Sequence, residues 1–189
     1  MNTKNGIYTD VIMAGFGGQG ILLIGNLLAE AALLDGYMVT YFPSYGVEMR
    51  GGTVNCTVVI SDEEIGSPQV SSPETLLVMS EQARERFEPK LKPSGLLIAN
   101  STLVDISSLT RKDVEVLAFP FNQIGTDMGN VKFANMLALG IYLGKKPVVK
   151  ISNIEQALKN QFGEKKKELI DLNLRAIEKG IELALKTGG

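Results

Sequence analysis

The chain has 189 residues, of which 44% are hydrophobic and 21% charged, and its formal net charge is −2. These values describe a folded globular protein long enough to bury its own core, and they exclude a disordered chain or a general nucleic-acid binder. No apolar run reaches the roughly 18 residues of a membrane span, and residues 1–9 are too polar and short for a secretory signal, so a cytoplasmic protein with no membrane or nucleic-acid partner is expected.

The missing residue types narrow the chemistry further. There is no histidine, no tryptophan and a single cysteine, Cys56. Without histidine the commonest general base and metal ligand is gone, along with every Ser-His or Cys-His nucleophile. One cysteine can form neither an internal disulfide nor the four-thiolate set of an iron–sulfur cluster. No catalytic residue and no metal ligand is therefore expected here. Any reaction this chain serves should draw its reactive groups from another chain.

In chain order, the apolar run Val11–Ala14 leads into Gly15-Phe16-Gly17-Gly18-Gln19-Gly20, and a long apolar segment, Ile21–Leu34, follows at once. The pattern predicts a buried strand, a tight glycine turn and a helix. Such a turn aims backbone N–H groups, and the positive end of a helix, at whatever lies above it. Gly15, Gly17, Gly18, Gln19 and Gly20 are thus candidates for cradling a phosphate or carboxylate. Met38–Phe42 reads as a second strand stopped by Pro43.

The next segment, Tyr45-Gly46-Val47-Glu48-Met49-Arg50-Gly51-Gly52-Thr53, reads as a loop. Gly51 and Gly52 permit a nest of N–H groups, and Arg50 could clamp an anion. Glu48 could orient Arg50 or pair with a neighbouring chain. Tyr45 and Thr53 flank the loop, Tyr45 as a possible site or interface residue.

Thr53–Ser61, rich in β-branched residues, predicts a strand with Cys56 as a small buried hydrophobe. After a loop around Pro68 and Pro73 come a strand at Thr75–Met79, a polar helix at Glu81–Glu88 closed by Pro89, and strands at Gly95–Ala99 and Val114–Phe119. The last third reads as helical. Asn130 caps a helix running to Leu143 with small residues Ala134, Ala138 and Gly140 on one face. Asn153–Gln161 starts on a capping asparagine. Lys165–Leu185 carries Ile170, Leu174, Ile177, Ile181, Ala184 and Leu185 on one stripe. Met13, Met79, Met128 and Met136 read as core filler.

Short apolar strands separated by helices predict a single α/β domain over residues 1–189. It should have three layers, α/β/α, with a mainly parallel, possibly mixed sheet and a helical C-terminal part. Gly15, Gly17 and Gly20 also satisfy G-x-G-x-x-G, which admits a free-standing NAD(P)- or FAD-dependent Rossmann-like oxidoreductase. That reading requires an acidic residue at the end of the second strand. Tyr41-Phe42-Pro43 stands there instead, and Asp35 comes before the strand begins.

Taken together, GFGGQG, YGVEMRGGTVNCTVVIS after the second strand, and then IGSP resemble the gamma subunit of 2-oxoacid:ferredoxin oxidoreductases. The resemblance continues through Gly129-Asn130 and Asn135-Met136-Leu137-Ala138-Leu139-Gly140 to Leu172-Asn173-Leu174-Arg175-Ala176. YGVEMRGGTVNC is most similar to the 2-oxoglutarate branch, with Val47 where proline is expected. The resemblance implies a complex that cleaves a 2-oxoacid to acyl-CoA and carbon dioxide while reducing ferredoxin. Thiamine diphosphate, Mg and [4Fe-4S] clusters are implied for the alpha, beta and delta partners and none for this chain. The absent G-D-G…N-N motif and the lone cysteine agree. The resemblance further implies that the glycine and RGG loops lie where coenzyme A enters.

Overall fold

The apolar run before the glycine turn becomes the interior strand of a six-stranded sheet in this computed structural model, which describes residues 6–45 and 53–187. In chain order the strands are β1 (Tyr8–Phe16), β2 (Met38–Tyr45), β3 (Thr53–Ser61), β4 (Thr75–Val78), β5 (Leu96–Asn100) and β6 (Glu115–Phe119). The helices are α1 (Ile21–Leu34), α2 (Glu81–Phe87), α3 (Phe121–Asp127), α4 (Ala134–Lys145), α5 (Ile151–Phe162) and α6 (Lys167–Lys186). The sheet order is β2-β3-β1-β4-β5-β6. β1, β4, β5 and β6 run parallel, whereas β3 is antiparallel to both β1 and β2. The sheet is therefore mixed, within the three-layer α/β class the sequence predicts.

The inserted β3 matters for function. In a dinucleotide-binding unit the second strand lies beside the first and brings its acidic end to the glycine turn. Here β3 separates β2 from β1 and pairs with both, Phe16 opposite Thr53 and Tyr45 opposite Val54. The ribose-binding position of a Rossmann site is not formed, and the nicotinamide or flavin alternative loses its structural basis.

β1, β4 and β5 have two buried faces because helices cover both, whereas the edge strand β2 exposes Met38 and Phe42. On the first face Val11, Met13, Cys56, Val58, Leu77 and Ile98 pack under α1, α4, α5 and α6. On the second, Ile12, Ala14, Leu76, Val78, Leu97 and Ala99 meet Ala83 and Phe87 of α2 together with Val104 and Leu109. The strictly alternating membership follows the two-residue period of a strand. The expected filler roles hold for Met13, Met79 and Met136, which are fully buried, and for Met128, which packs against the core.

Several local expectations are corrected. β2 continues through Pro43 to Tyr45, because β2 is the sheet's edge and a proline there costs no ladder bond on its outer side. α5 starts at Ile151 with Lys150 as its cap, so Asn153 lies inside the first turn. Asn130 caps a short 3-10 turn, Val131–Phe133, by accepting the Lys132 N–H at 3.0 Å, and α4 begins only after it. Leu185, placed on the buried stripe of α6, is exposed. α3 has no counterpart in the predicted elements.

Candidate functional site

β1 leaves the sheet toward α1 on the first face, and its parallel neighbour β4 leaves toward α2 on the second. The two therefore diverge at their carboxyl ends, and in α/β sheets a crevice for ligands forms at such a switch point. The glycine turn sits there. Gly18 and Gly20 adopt positive φ, 96° and 73°, which only glycine takes without strain. A Cβ at Gly18 would meet nothing within 4 Å, so this part of the turn is open.

Gln19 holds the turn in place. Its Oε1 accepts the Phe16 N–H at 2.6 Å, and its Nε2 donates to the Met79 carbonyl at 2.9 Å. One amide thus ties the end of β1 to the end of β4, so Gln19 serves as a strut. Gly15 is a packing glycine, since a Cβ there would run into the Gln19 side chain. The N-terminus of α1 has no side-chain cap and no acidic residue in its first turn. Its free N–H groups and positive dipole end remain available to an anion.

Beside the turn lies a cavity of about 560 Å³, within the range of small-molecule sites. Gly18, Gln19, Gly20 and Leu23 line it from one segment and Asn130–Met136 from another, together with Phe162, Leu169 and Asn173. Among the described lining residues none is acidic, and Lys132 alone is charged. The walls are otherwise apolar groups and side-chain amides, those of Gln19, Asn122, Asn130, Asn135 and Asn173.

Of the predicted site residues, Gly18, Gln19, Gly20 and Asn130 line this cavity. Gly17 belongs to the same turn. Thr53 is brought alongside it by pairing with Phe16, and the Arg86 guanidinium donates to its Oγ1 at 3.3 Å. The backbone of Tyr45 ends β2 at this same end of the sheet. Glu48, Arg50, Gly51 and Gly52 lie outside the described residues, as does the Tyr45 side chain. Tyr45 and Thr53, which bracket that segment, both stand at the glycine-turn end. Asn135, Asn173 and Arg86 were not singled out from the sequence. Asn173 left a readable trace: it lies three residues after Ile170 and four before Ile177, on the buried stripe of α6.

No cluster of three or more His, Cys, Asp or Glu capable of holding a metal occurs among the described residues. Burial pushes the Cys56 thiol up to about 12, so the thiolate needed for ligation or attack is not formed near neutral pH.

Residues 10–183 match the family described as pyruvate ferredoxin/flavodoxin oxidoreductase. The chain belongs to this family. It is similar to the 2-oxoglutarate synthase subunit KorC of Methanothermobacter thermautotrophicus, 35% identical over 183 residues that cover 94% of this chain and 95% of that protein. It is also similar to the solved gamma subunit of a keto/oxoacid ferredoxin oxidoreductase from Geobacter sulfurreducens. There the TM-score is 0.79 and the identity 32%, covering 94% of this chain and 99% of that one. The third similarity is to 2-oxoglutarate:ferredoxin oxidoreductase from Magnetococcus marinus, solved with 2-oxoglutarate, coenzyme A and succinyl-CoA bound. Its TM-score is 0.84 at 26% identity, covering 94% of this chain and 31% of that chain. The ketoisovalerate oxidoreductase VorA subunits also match, and the family chain described here spans 36% of their length. The same unit thus occurs in this family as a separate gamma-type chain and within longer ones.

Proposed function

We propose that this chain is the gamma subunit of a 2-oxoglutarate:ferredoxin oxidoreductase and forms part of its coenzyme A site. The observation that carries the reading is the uncapped N-terminus of α1, opening with the glycine turn onto a cavity at the switch point whose one charged lining residue, among those described, is Lys132. Such a terminus suits the pyrophosphate of a nucleotide. The Arg50-Gly51-Gly52 segment, bracketed by Tyr45 and Thr53 at the same sheet end, adds a second set of N–H groups and a cation.

In this reading thiamine diphosphate with Mg supplies decarboxylation, and [4Fe-4S] clusters carry the electrons, all on alpha, beta and delta partners in the cytoplasm. This chain's own work is to bind and orient coenzyme A and to complete the assembly. The choice of 2-oxoglutarate is supported by the YGVEMRGG segment and by the names of the KorC relatives and the Magnetococcus enzyme.

The test uses the complete enzyme, purified anaerobically with this chain as bait. Co-purifying subunits should carry the thiamine and cluster motifs, and viologen reduction should require both coenzyme A and a 2-oxoacid, 2-oxoglutarate above pyruvate. Arg50→Ala should raise the KM for coenzyme A about ten-fold, the loss of one charged contact. A KM for coenzyme A that does not move would remove the ligand role.

A further inference from the structure

Two buried amides in the cavity carry a hydrogen-bonding pattern that an anion cannot satisfy. Asn135 of α4 and Asn173 of α6 are each only 6% exposed, and both line the cavity. Asn173 Nδ2 donates to the Leu169 carbonyl at 2.7 Å, and Asn135 Nδ2 donates to the Gly20 carbonyl at 3.4 Å. A carbonyl accepts only from Nδ2, so these bonds fix both amide orientations. Each residue is left with Oδ1, which no donor among the described residues reaches and which is not sealed inside the protein.

The two residues stand level with one another. A Cβ at Gly140 would meet Ile177 and Gly180, and one at Gly144 would meet Ile181 and Ala184. A step of four along α4 is matched by a step of four along α6, so the helices run parallel. One turn back from Gly140, the start of α4 is therefore level with Asn173, which lies four residues before Ile177.

A buried acceptor without a donor costs free energy unless a ligand or water supplies one. Both oxygens repel phosphate, so a pyrophosphate at the glycine turn does not satisfy them. Within coenzyme A the neutral donors are the amides of the pantetheine arm, the ribose hydroxyl and the adenine amine. The pantetheine arm has to leave this chain, because its thiol must reach the thiamine site on the partners. The ribose has one free hydroxyl, its 3′ oxygen being phosphorylated, whereas two acceptors ask for two donors. The exocyclic amine of adenine carries two N–H groups on one atom.

We infer that the cavity seats the adenine of coenzyme A, with Oδ1 of Asn135 and Asn173 accepting the two N–H groups of its amine. The inference rests on the coenzyme A reading above and assigns the residues that read the base. Leu23 and Phe162 supply apolar surface for the ring. Guanine or hypoxanthine would set a carbonyl oxygen against the same two acceptors, so the site discriminates against both.

The test uses the complete enzyme and two analogues of coenzyme A. Deamino-coenzyme A carries hypoxanthine in place of adenine, and 2′-deoxy-coenzyme A lacks the ribose hydroxyl. At about ten-fold per hydrogen bond, the wild-type KM for the deamino analogue should exceed that for coenzyme A about a hundred-fold. The 2′-deoxy analogue should match coenzyme A, and kcat should be the same for all three. Asn173→Leu and Asn135→Leu should each shrink the deamino ratio about ten-fold, chiefly by raising the KM for coenzyme A. Equal wild-type KM values for coenzyme A and its deamino analogue would overturn the inference, and that comparison needs no variant to fold. A loss on the 2′-deoxy analogue instead would give the oxygens to the ribose and overturn it too, as would a deamino ratio that neither substitution changes. The Arg50→Ala result decides the broader reading separately: a raised KM there without base discrimination leaves coenzyme A at this subunit and removes only the base contacts.

Discussion

On the first face of the sheet, α4 and α6 cross so closely that backbone meets backbone; on the second, α2 is stitched to its neighbours by charge. A Cβ at Gly140 would collide with the Ile177 carbonyl and stand 2.9 Å from the Gly180 Cα, and one at Gly180 would collide with the Leu137 carbonyl. Across the sheet, Arg84 and Glu88 are 6% and 1% exposed and joined at 2.6 Å. Glu88 also accepts from the Thr110 and Arg111 N–H groups at 2.7 and 2.8 Å, while Arg84 holds Glu81 at 2.6 Å. The first face is set by shape and the second by ionic hydrogen bonds. The cavity lies on the face set by shape, lined in part by residues of α1, α4 and α6.

The largest effect expected is on the charged face. Arg84→Met leaves Glu88 buried without its cation, a loss of about 3 kcal/mol at neutral pH. Burial works to raise the Glu88 carboxyl, but the Arg111 N–H, the Arg84 guanidinium and Thr110 outweigh it and hold the group below its ordinary value. A lowered folded pKa contributes stability that is present above the unfolded value, about 4.3, and lost as pH falls through the folded one. The Arg84→Met deficit should therefore shrink on acidification. Urea unfolding at pH 7 and pH 4 checks this, and an unchanged deficit would place the Arg84 contribution in packing. Next comes Gly140→Ala on the other face, at about 2 kcal/mol from overpacking against backbone that cannot step aside. That loss should be the same at both pH values. If it varies with pH as the Arg84 loss does, the contrast between the faces fails.

The legible parts of the molecule are those written locally. Val11–Ala14, the glycine turn and Ile21–Leu34 form one strand-turn-helix unit whose signals are adjacent in sequence. The β-branched run Thr53–Ser61 likewise matches β3 residue for residue. What could not be read depends on distant partners. Nothing within β3 says that it inserts antiparallel between β1 and β2, since pairing is settled by all three strands together. Pro43 stops a strand by local rule but is harmless on an edge, and the edge is a property of the sheet. α3 escaped notice because Pro120 precedes it without a side-chain cap and Gly125 and Thr126 weaken its helical signal. At the site, the glycines were visible as a motif. The amides of Asn135 and Asn173 are ordinary residues until α1, α4 and α6 meet.

Smaller effects sharpen the contrast where β1 and β4 run side by side between the two faces. Gln19→Leu strips the Phe16 N–H and the Met79 carbonyl of their partner at the carboxyl ends, about 1.5 kcal/mol, with little dependence on pH. At the opposite ends of the same strands, Asp10 shares the charged face with Ile12, two residues on, and its Oδ1 accepts the Glu74 N–H at 2.7 Å. Burial raises the Asp10 carboxyl, and neither that hydrogen bond nor Lys92 fully offsets the rise. The sign is opposite to that at Glu88. A raised folded pKa contributes stability below the unfolded value, about 3.9, and that contribution is lost as pH rises through the folded one. Asp10→Asn keeps the acceptor for Glu74 and removes the ionisation, so it should stabilise the chain at pH 7 by less than about 1 kcal/mol and hardly at all near pH 4. Melting curves of both proteins at the two pH values provide the check. A variant less stable than wild type at pH 7 would mean that the Lys92 pairing outweighs burial, and that Asp10 belongs with Glu88 among the charges holding the second face together.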